Sequence, residues 1–546
     1  MKRLPIIALI LTLLASSLLA AERPIATLTV RNHQALLAAV SRVAEAAKPG
    51  MGAASSAMLP AFLGAPQMAG IDPGRPWQAV AWARSGGQGG SLAVYVPVSD
   101  FGAFKSGLTP GVLSGGQGEN TVAEKGDYAI IFNPNSPGFT DQDRDKALAW
   151  KVAPRGETAT VNLHFAPSPE IKQMFVGGFR AGREQALQGM MQGLKAAPNN
   201  PAFDPATFKE LMGLYFRIID TSLAGFDEFD LGLSVADDDI VITERVTALE
   251  GTDLARWFAP NAASVSKDVA SIDWNAPIAF AASVRNDPTL SAFFEKAMTL
   301  GFRMQGMKQD DEATKDTLKL MKDMLPMVTA GSLSFADSGM NFSGYYRFPD
   351  RKADDFYATL LDFMDTTMQK QVGDDKMYKD YDYEKGVRKI GAVSVDRLTM
   401  TYNLDNPLFQ APGQKEQINA MFPGGKVGLE YALADGKLFF TMGAAKMEQA
   451  LKPAQSGKSD VGGLKIGPKT TFAGSMNILE FLKGALQSMP MSPVPPAILN
   501  AINPAGTGIR ARVDQTGALD AEIRIPLKMI QTVSQAVTAA KAARNN

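Results

Sequence analysis

Near the end of the chain Ile509, Ala511 and Val513 alternate with Arg510, Arg512 and Asp514. After a turn at Gln515-Thr516-Gly517 the alternation resumes, with Leu519, Ala521, Ile523 and Ile525 against Asp520, Glu522 and Arg524. A period of two with one apolar face predicts a hairpin that another element half covers. Pro526 ends the second strand, and Leu527, Ile530, Val533 and Val537 then fall at helical spacing, so the covering helix is expected to follow at once.

The same hairpin and helix recur along the chain. Val80 and Trp82 pair with Leu92, Val94 and Val96 across the Gly-rich Ser85 to Gly90, before Pro97 and a helix with Phe101 and Phe104. Phe229, Leu231, Leu233 and Val235 turn through Asp237-Asp238-Asp239 into Ile240 and Ile242, and Thr252 caps a helix with Leu254, Trp257 and Phe258. Leu333 and Phe335 turn into Met340, Phe342, Tyr346 and Phe348, and Pro349 precedes a helix with Phe356, Leu360 and Phe363. A further hairpin at Val427 to Leu451 turns at Asp435-Gly436, a strong two-residue hairpin signal.

Each hairpin follows a strand that leads into a capped helix. Ala26 to Val30 leads to Asn32, Thr158 to Phe165 to Ser168-Pro169-Glu170, Ile278 to Val284 to Asp287-Pro288, and Lys469 to Gly474 to Asn477. The pattern reads as a degenerate internal repeat. Strands joined by tight turns must be antiparallel. The expected fold class is therefore α+β: antiparallel sheets with helices packed on one face, built from repeated strand-helix and hairpin-helix units, in two domains. The expected boundaries are a signal peptide over 1–21, an N-terminal domain over 22–262, a linker over 263–276 where Ala and Ser interrupt the pattern, and a C-terminal domain over 277–546.

Met1-Lys2-Arg3, the apolar Leu4 to Leu19 and the small Ala20-Ala21 have the three parts of a secretory signal peptide, with cleavage after Ala20 or Ala21. Its apolar run falls short of the roughly 20 residues a membrane-spanning helix needs, and no later segment is apolar enough to span. The expected location is the periplasm, or the medium beyond it. With 55 basic and 56 acidic residues, no field across the chain directs it to nucleic acid. Cysteine is absent, which removes disulfides, thiol catalysis, thiolate metal sites and iron–sulfur clusters.

Chemistry-bearing motifs are sparse. His33 and His164 stand alone in sequence, and a zinc centre needs more than one imidazole or carboxylate help; surface or capping roles are expected. No nucleophile elbow is present, and the Ser264 to Lys267 match to S-x-x-K lies in the expected linker without its companion motifs. Asp141, Asp143 and Asp145 form a D-x-D-x-D run read as an acidic loop. It is a candidate metal site, although Lys146 and Val152 stand where a calcium loop needs glycine and glutamate. Among 26 methionines, Met298, Met304, Met307, Met321, Met324 and Met327 concentrate in one expected helical pair, where flexible thioethers could line an apolar groove or fill a core.

The order of alternating strand, proline, acidic helix start and later strand pair, as in Leu92 to Leu108 and Tyr346 to Met364, resembles a family of large exported bacterial proteins of unknown function. The resemblance covers Ala26 to Phe132 and Pro277 to Leu451. It implies an envelope location and a repeated α+β fold, and it carries over no catalytic residue. The expectation is a non-enzymatic exported protein that binds or scaffolds an envelope protein or apolar small molecule, with no cofactor. The alternatives are a carrier of lipid or another apolar ligand in the Met-rich groove, and a hydrolase built from carboxylates distant in sequence.

Overall fold

A computed structural model describes residues 24–83, 90–111, 113, 120–133, 139–153, 159–195, 205–260, 263–304, 312–336, 339–364, 366, 372–374, 376–406, 409, 414–443, 446–452, 460–487, 499 and 502–545. The fold is mixed, with antiparallel strand pairing throughout the named sheet strands. The chain begins with β1 (Pro24–Val30), α1 (His33–Ala47), α2 (Met51–Leu63), β2 (Trp77–Ala83), β3 (Gly90–Pro97) and α3 (Phe101–Gly107). After β4 (Thr121–Lys125), β5 (Tyr128–Phe132) and α4 (Asp141–Ala149) a similar order returns. It comprises β6 (Val161–Phe165), α5 (Pro169–Lys195), α6 (Pro205–Gly225), β7 (Phe226–Ala236), β8 (Asp239–Ala248) and α7 (Asp253–Phe258).

The order appears a third time as β9 (Ile278–Val284), α8 (Pro288–Met304), α9 (Glu312–Asp323), β10 (Met327–Ala336), β11 (Gly339–Arg347) and α10 (Ala353–Phe363). Then come β12 (Tyr378–Ile390), β13 (Val393–Tyr402), α11 (Gln414–Met421), β14 (Lys426–Ala434), β15 (Lys437–Met442), α12 (Met447–Ala450), β16 (Asp460–Val461) and β17 (Leu464–Lys465). The last recurrence is β18 (Thr470–Met476), α13 (Ile478–Gln487), β19 (Ile509–Gln515), β20 (Leu519–Pro526) and α14 (Leu527–Asn545).

Local chemistry explains the element boundaries. The Asn32 carboxamide accepts the Ala35 N–H at 2.7 Å, Asp287 accepts those of Thr289 and Leu290 at 3.0 Å, and Asn477 accepts that of Glu480 at 3.1 Å. Each satisfies an orphan donor at a helix start. Asp435 and Gly436 take φ of 50° and 68°, the left-handed pair that a two-residue hairpin requires. Asp237 and Asp238 do the same between β7 and β8, at 48° and 65°.

Contacts cluster into two compact units. The first comprises Met1–Gly182, Asp220–Phe258 and Ala518–Ser534, so the hairpin half β20 near the C-terminus belongs with the N-terminal strands. Its strands run in the order β4-β5-β3-β2-β1-β6-β7-β8-β20. The second comprises Arg183–Ile219, Ala259–Gly517 and Gln535–Asn546, with strand order β12-β13-β14-β15-β11-β10-β9-β18-β19.

The stretch expected as a linker, 263–276, is part of the second unit's core. Val265 and Val269 are buried against Ala281, Val328, Ala330, Tyr345 and Phe439, and the Val265 N–H donates to the Thr470 carbonyl at 3.0 Å. A run of small residues looks like a connector in sequence, yet small side chains are what a strand-hugging cover needs. The expected acidic loop is also helical. Asp141 to Asp145 open α4, where Thr140 and Asp143 form a reciprocal capping box.

Candidate functional site: a sheet with its apolar face half open

In a one-sided antiparallel sheet the apolar face is covered and the polar face meets water. The central strands of the first unit do the reverse. Thr27 and Thr29 of β1, Asn162 and His164 of β6 and Gln78 of β2 share one face and are all buried, His164 with 6% exposure. The other face carries Leu28, Val30, Val161, Leu163, Leu231, Ile242 and Ile523, all half-buried, and Leu233, which is 43% exposed.

Over β1, β2 and β6 the polar face stays buried because its groups have partners, whereas Thr243 and Arg245 of β8 on the same face are exposed. Gln78 donates through Nε2 to Thr29 Oγ1 at 3.1 Å and to the Ala153 carbonyl at 3.0 Å, and its Oε1 accepts the Trp150 indole N–H at 2.7 Å. His164 Nδ1 lies 2.9 Å from Asp230 Oδ1 across the β6–β7 pair. Arg245, opposite Asp230 on β8, donates to Asp520 of β20 at 2.9 Å. A row of polar side chains thus crosses from Thr27 to Asp520. His164, expected at the surface, is instead a buried member of this row. Asn162 Oδ1 is buried without a hydrogen-bond partner among the described residues.

The apolar face is aligned by register. Val30 stands opposite Val161, Val161 opposite Leu233, Leu233 opposite Ile242 and Ile242 opposite Ile523, an unbroken apolar row across five strands. The neighbouring row runs Leu28, Leu163, Leu231, Glu244 and Ala521. The buried clusters of the unit flank these rows. Ile171 packs with Ala26 and Phe165 at one end, while Trp77, Val96, Phe104 and Ile131 pack beyond β1.

The second unit has a comparable face. Met476, Ile278, Leu333, Phe342, Met442 and Leu429 are register partners in sequence across β18, β9, β10, β11, β15 and β14, and none is buried. Behind them Ala279, Ala281, Ala330 and Ala473 are buried.

The methionines singled out by sequence do not form one wall. Met298 is half-buried on α8, and Met321 is 37% exposed on α9. Met324 and Met327 pack on the buried cluster of Phe348, Phe356, Tyr357 and Leu438. Met327 opens strand β10 and does not belong to the expected helix, because Pro326 ends the helical run. The side chain of Met304 and the whole of Met307 lie outside the described residues.

Asp141, Asp143 and Asp145 are likewise not gathered. In a helix, residues two apart face different ways, and Asp143 turns inward, buried, to cap α4 and accept from Ser91 at 3.2 Å. Asp141 and Asp145 are exposed. Among the described residues, no group of three or more His, Asp or Glu is placed to hold a metal ion.

Buried carboxylates hold the fold together. Asp268 accepts Arg347 Nη2 at 2.7 Å and Nε at 3.1 Å, with the Tyr345 hydroxyl at 3.0 Å. Asp396 accepts the Tyr357 and Tyr383 hydroxyls at 2.6 and 2.8 Å and the Gly386 N–H at 2.8 Å. Burial, reinforced by Asp396, pushes the Tyr357 hydroxyl far above its ordinary range, so it stays a donor. Glu430 sits between Arg388 and Arg397; burial would raise its carboxyl, but the two guanidinium groups hold it below the usual range. A general acid needs the opposite shift. Ser264, of the S-x-x-K match, donates to the Gly467 and Thr470 carbonyls at 3.1 Å, and Lys267 is exposed.

Among the described residues, no helix is long and apolar enough to cross a membrane. No protein-family model, curated protein or solved structure matches this chain.

Proposed function

We propose that this is an exported binding protein that takes an elongated apolar ligand, of the acyl-chain or lipid class, against the half-open sheet face of its first unit. The observation that carries this is the inversion of the sheet. Threonine, glutamine, asparagine and histidine are buried while an apolar row from Val30 to Ile523 remains partly accessible. Leaving that surface to water costs about 25 cal/mol per Å², a cost that an apolar occupant removes. Large accessible apolar patches on soluble proteins mark binding surfaces. The recurrence of element order, with a comparable face in the second unit, supports a capacity for two such ligands per chain. The binding reading therefore shifts from the methionine helices to the sheet.

The test uses the purified chain and the neutral fluorophore N-phenylnaphthylamine. Saturable fluorescence enhancement is expected, displaced by dodecanol. The triple variant Leu163→Gln, Leu231→Gln, Leu233→Gln should weaken binding at least about tenfold, since each change removes apolar contact worth about 1 kcal/mol or more. Absence of saturable binding, or a variant that binds as well as the original chain, sinks the reading. Export rests on residues 1–21, and sequencing the N-terminus of protein from an envelope fraction should find Glu22 or Ala21 first. A retained Met1 would refute processing there.

A further inference from the structure

Glu244 breaks the apolar face at its middle. On β8 it lies between Ile242 and Val246 on the same side of the strand, directly opposite Leu231 on β7 and Ala521 on β20. Its diagonal neighbours on that face are Phe229 and Leu233 on one strand and Leu519 and Ile523 on the other. Glu244 is half-buried, and its register neighbours on this face are apolar. It makes no hydrogen bond or ion pair with any described residue. Three basic side chains on elements of the same unit are engaged elsewhere: Arg42 with Asp238, Lys172 with Asp227, and Arg256 with Asp253.

A charge set in such a surface loses hydration when an apolar body settles over it, and that loss must be offset by a counter-charge. We propose that the ligand of this face is a cationic amphiphile, an apolar body carrying an amine whose N–H groups donate to Glu244. This rests on the binding reading above and adds the headgroup to it. A neutral or anionic lipid would leave Glu244 uncompensated or repelled. An ammonium forms a charge-assisted hydrogen bond, which is stronger than a neutral one.

Displacement of N-phenylnaphthylamine from the full chain by dodecylamine, dodecanol and dodecanoate at neutral pH tests it. Dodecylamine should displace the probe at a concentration about tenfold below dodecanol, with dodecanoate the weakest. In Glu244→Gln the amine advantage should vanish, because dodecylamine loses its counter-charge while dodecanol no longer covers an uncompensated carboxylate and displaces the probe at a lower concentration than in the original chain. Glu244→Lys should reverse the order in favour of dodecanoate. Equal displacement by all three in the original chain, or an amine preference that survives both substitutions, overturns the headgroup assignment and leaves the apolar site standing. Failure of the probe to bind the original chain overturns the apolar site itself.

Discussion

Asp268→Ala is expected to lower the unfolding free energy by about 3–5 kcal/mol, the usual cost of removing one partner from a buried ion pair. Asp268 is 1% exposed and receives two guanidinium N–H groups from Arg347 and a hydroxyl from Tyr345. Arg347 also donates to the Ser264 carbonyl at 3.3 Å, so the carboxylate ties the stretch after residue 263 down onto β11. Removing it leaves the half-buried Arg347 guanidinium without a counter-charge, held only by the Ser264 carbonyl, and leaves the Tyr345 hydroxyl to Ser271 and the backbone carbonyl of residue 268. The paired variant Asp268→Leu, Arg347→Met should recover more than half of the loss, because it removes both charges together. Urea unfolding followed by tryptophan fluorescence reads both, with Trp274 reporting locally through its bond to the Val269 carbonyl at 2.7 Å. A single variant that loses under about 1 kcal/mol would mean that the pair is solvated and the stretch is held by its apolar side chains alone.

That anchor also shows where sequence reasoning stops. Asp268 and Arg347 are far apart in the chain, and nothing around Asp268 distinguishes it from a solvated aspartate in an Ala-Ser-rich connector. Local features were legible, because their causes are local. Asn32, Asp287 and Asn477 cap helices with side chains three residues or fewer from their targets. Asp435-Gly436 turns where only a left-handed pair can turn. Alternation placed Thr27, Asn162 and His164 on one face and Leu28, Leu163 and Leu231 on the other. It could not say which face is covered, since the cover of Gln78 comes from Trp150 and Ala153, distant in sequence. One signal for the candidate site was present and overlooked: Ile240, Ile242 and Val246 keep the apolar phase of β8, and Glu244 interrupts it. The methionine concentration misled for the converse reason. Met324 and Met327 obey helix or strand periodicity as any core residue would, and thioether chemistry does not separate core from groove.

Gly70 supplies the second large effect, and it separates two causes that glycine substitutions usually mix. Its φ is 68°, and a Cβ there would lie 2.1 Å from the Asp100 carbonyl oxygen and 2.6 Å from the Phe104 nitrogen. Gly70 also accepts the Ser99 N–H at 2.8 Å, so the backbone that would have to retreat is tied to it. That backbone is the start of α3, whose Phe104 is buried against Ile71 and Val96. Gly70→Ala should therefore cost the left-handed strain of about 1–2 kcal/mol and a further 1–3 kcal/mol, roughly, for backbone displaced from a packed cluster. Gly126, in the turn between β4 and β5, has a φ of 55° with nothing within 4 Å of its Cβ position. Gly126→Ala should show the strain alone, about 1–2 kcal/mol. Denaturant midpoints for the two variants, read at constant slope, decide the matter. If Gly70→Ala is no worse than Gly126→Ala, α3 yields to the methyl group and the close approach at Gly70 is not what seats Phe104. If it is worse by the expected margin, that cluster depends on a contact only glycine permits.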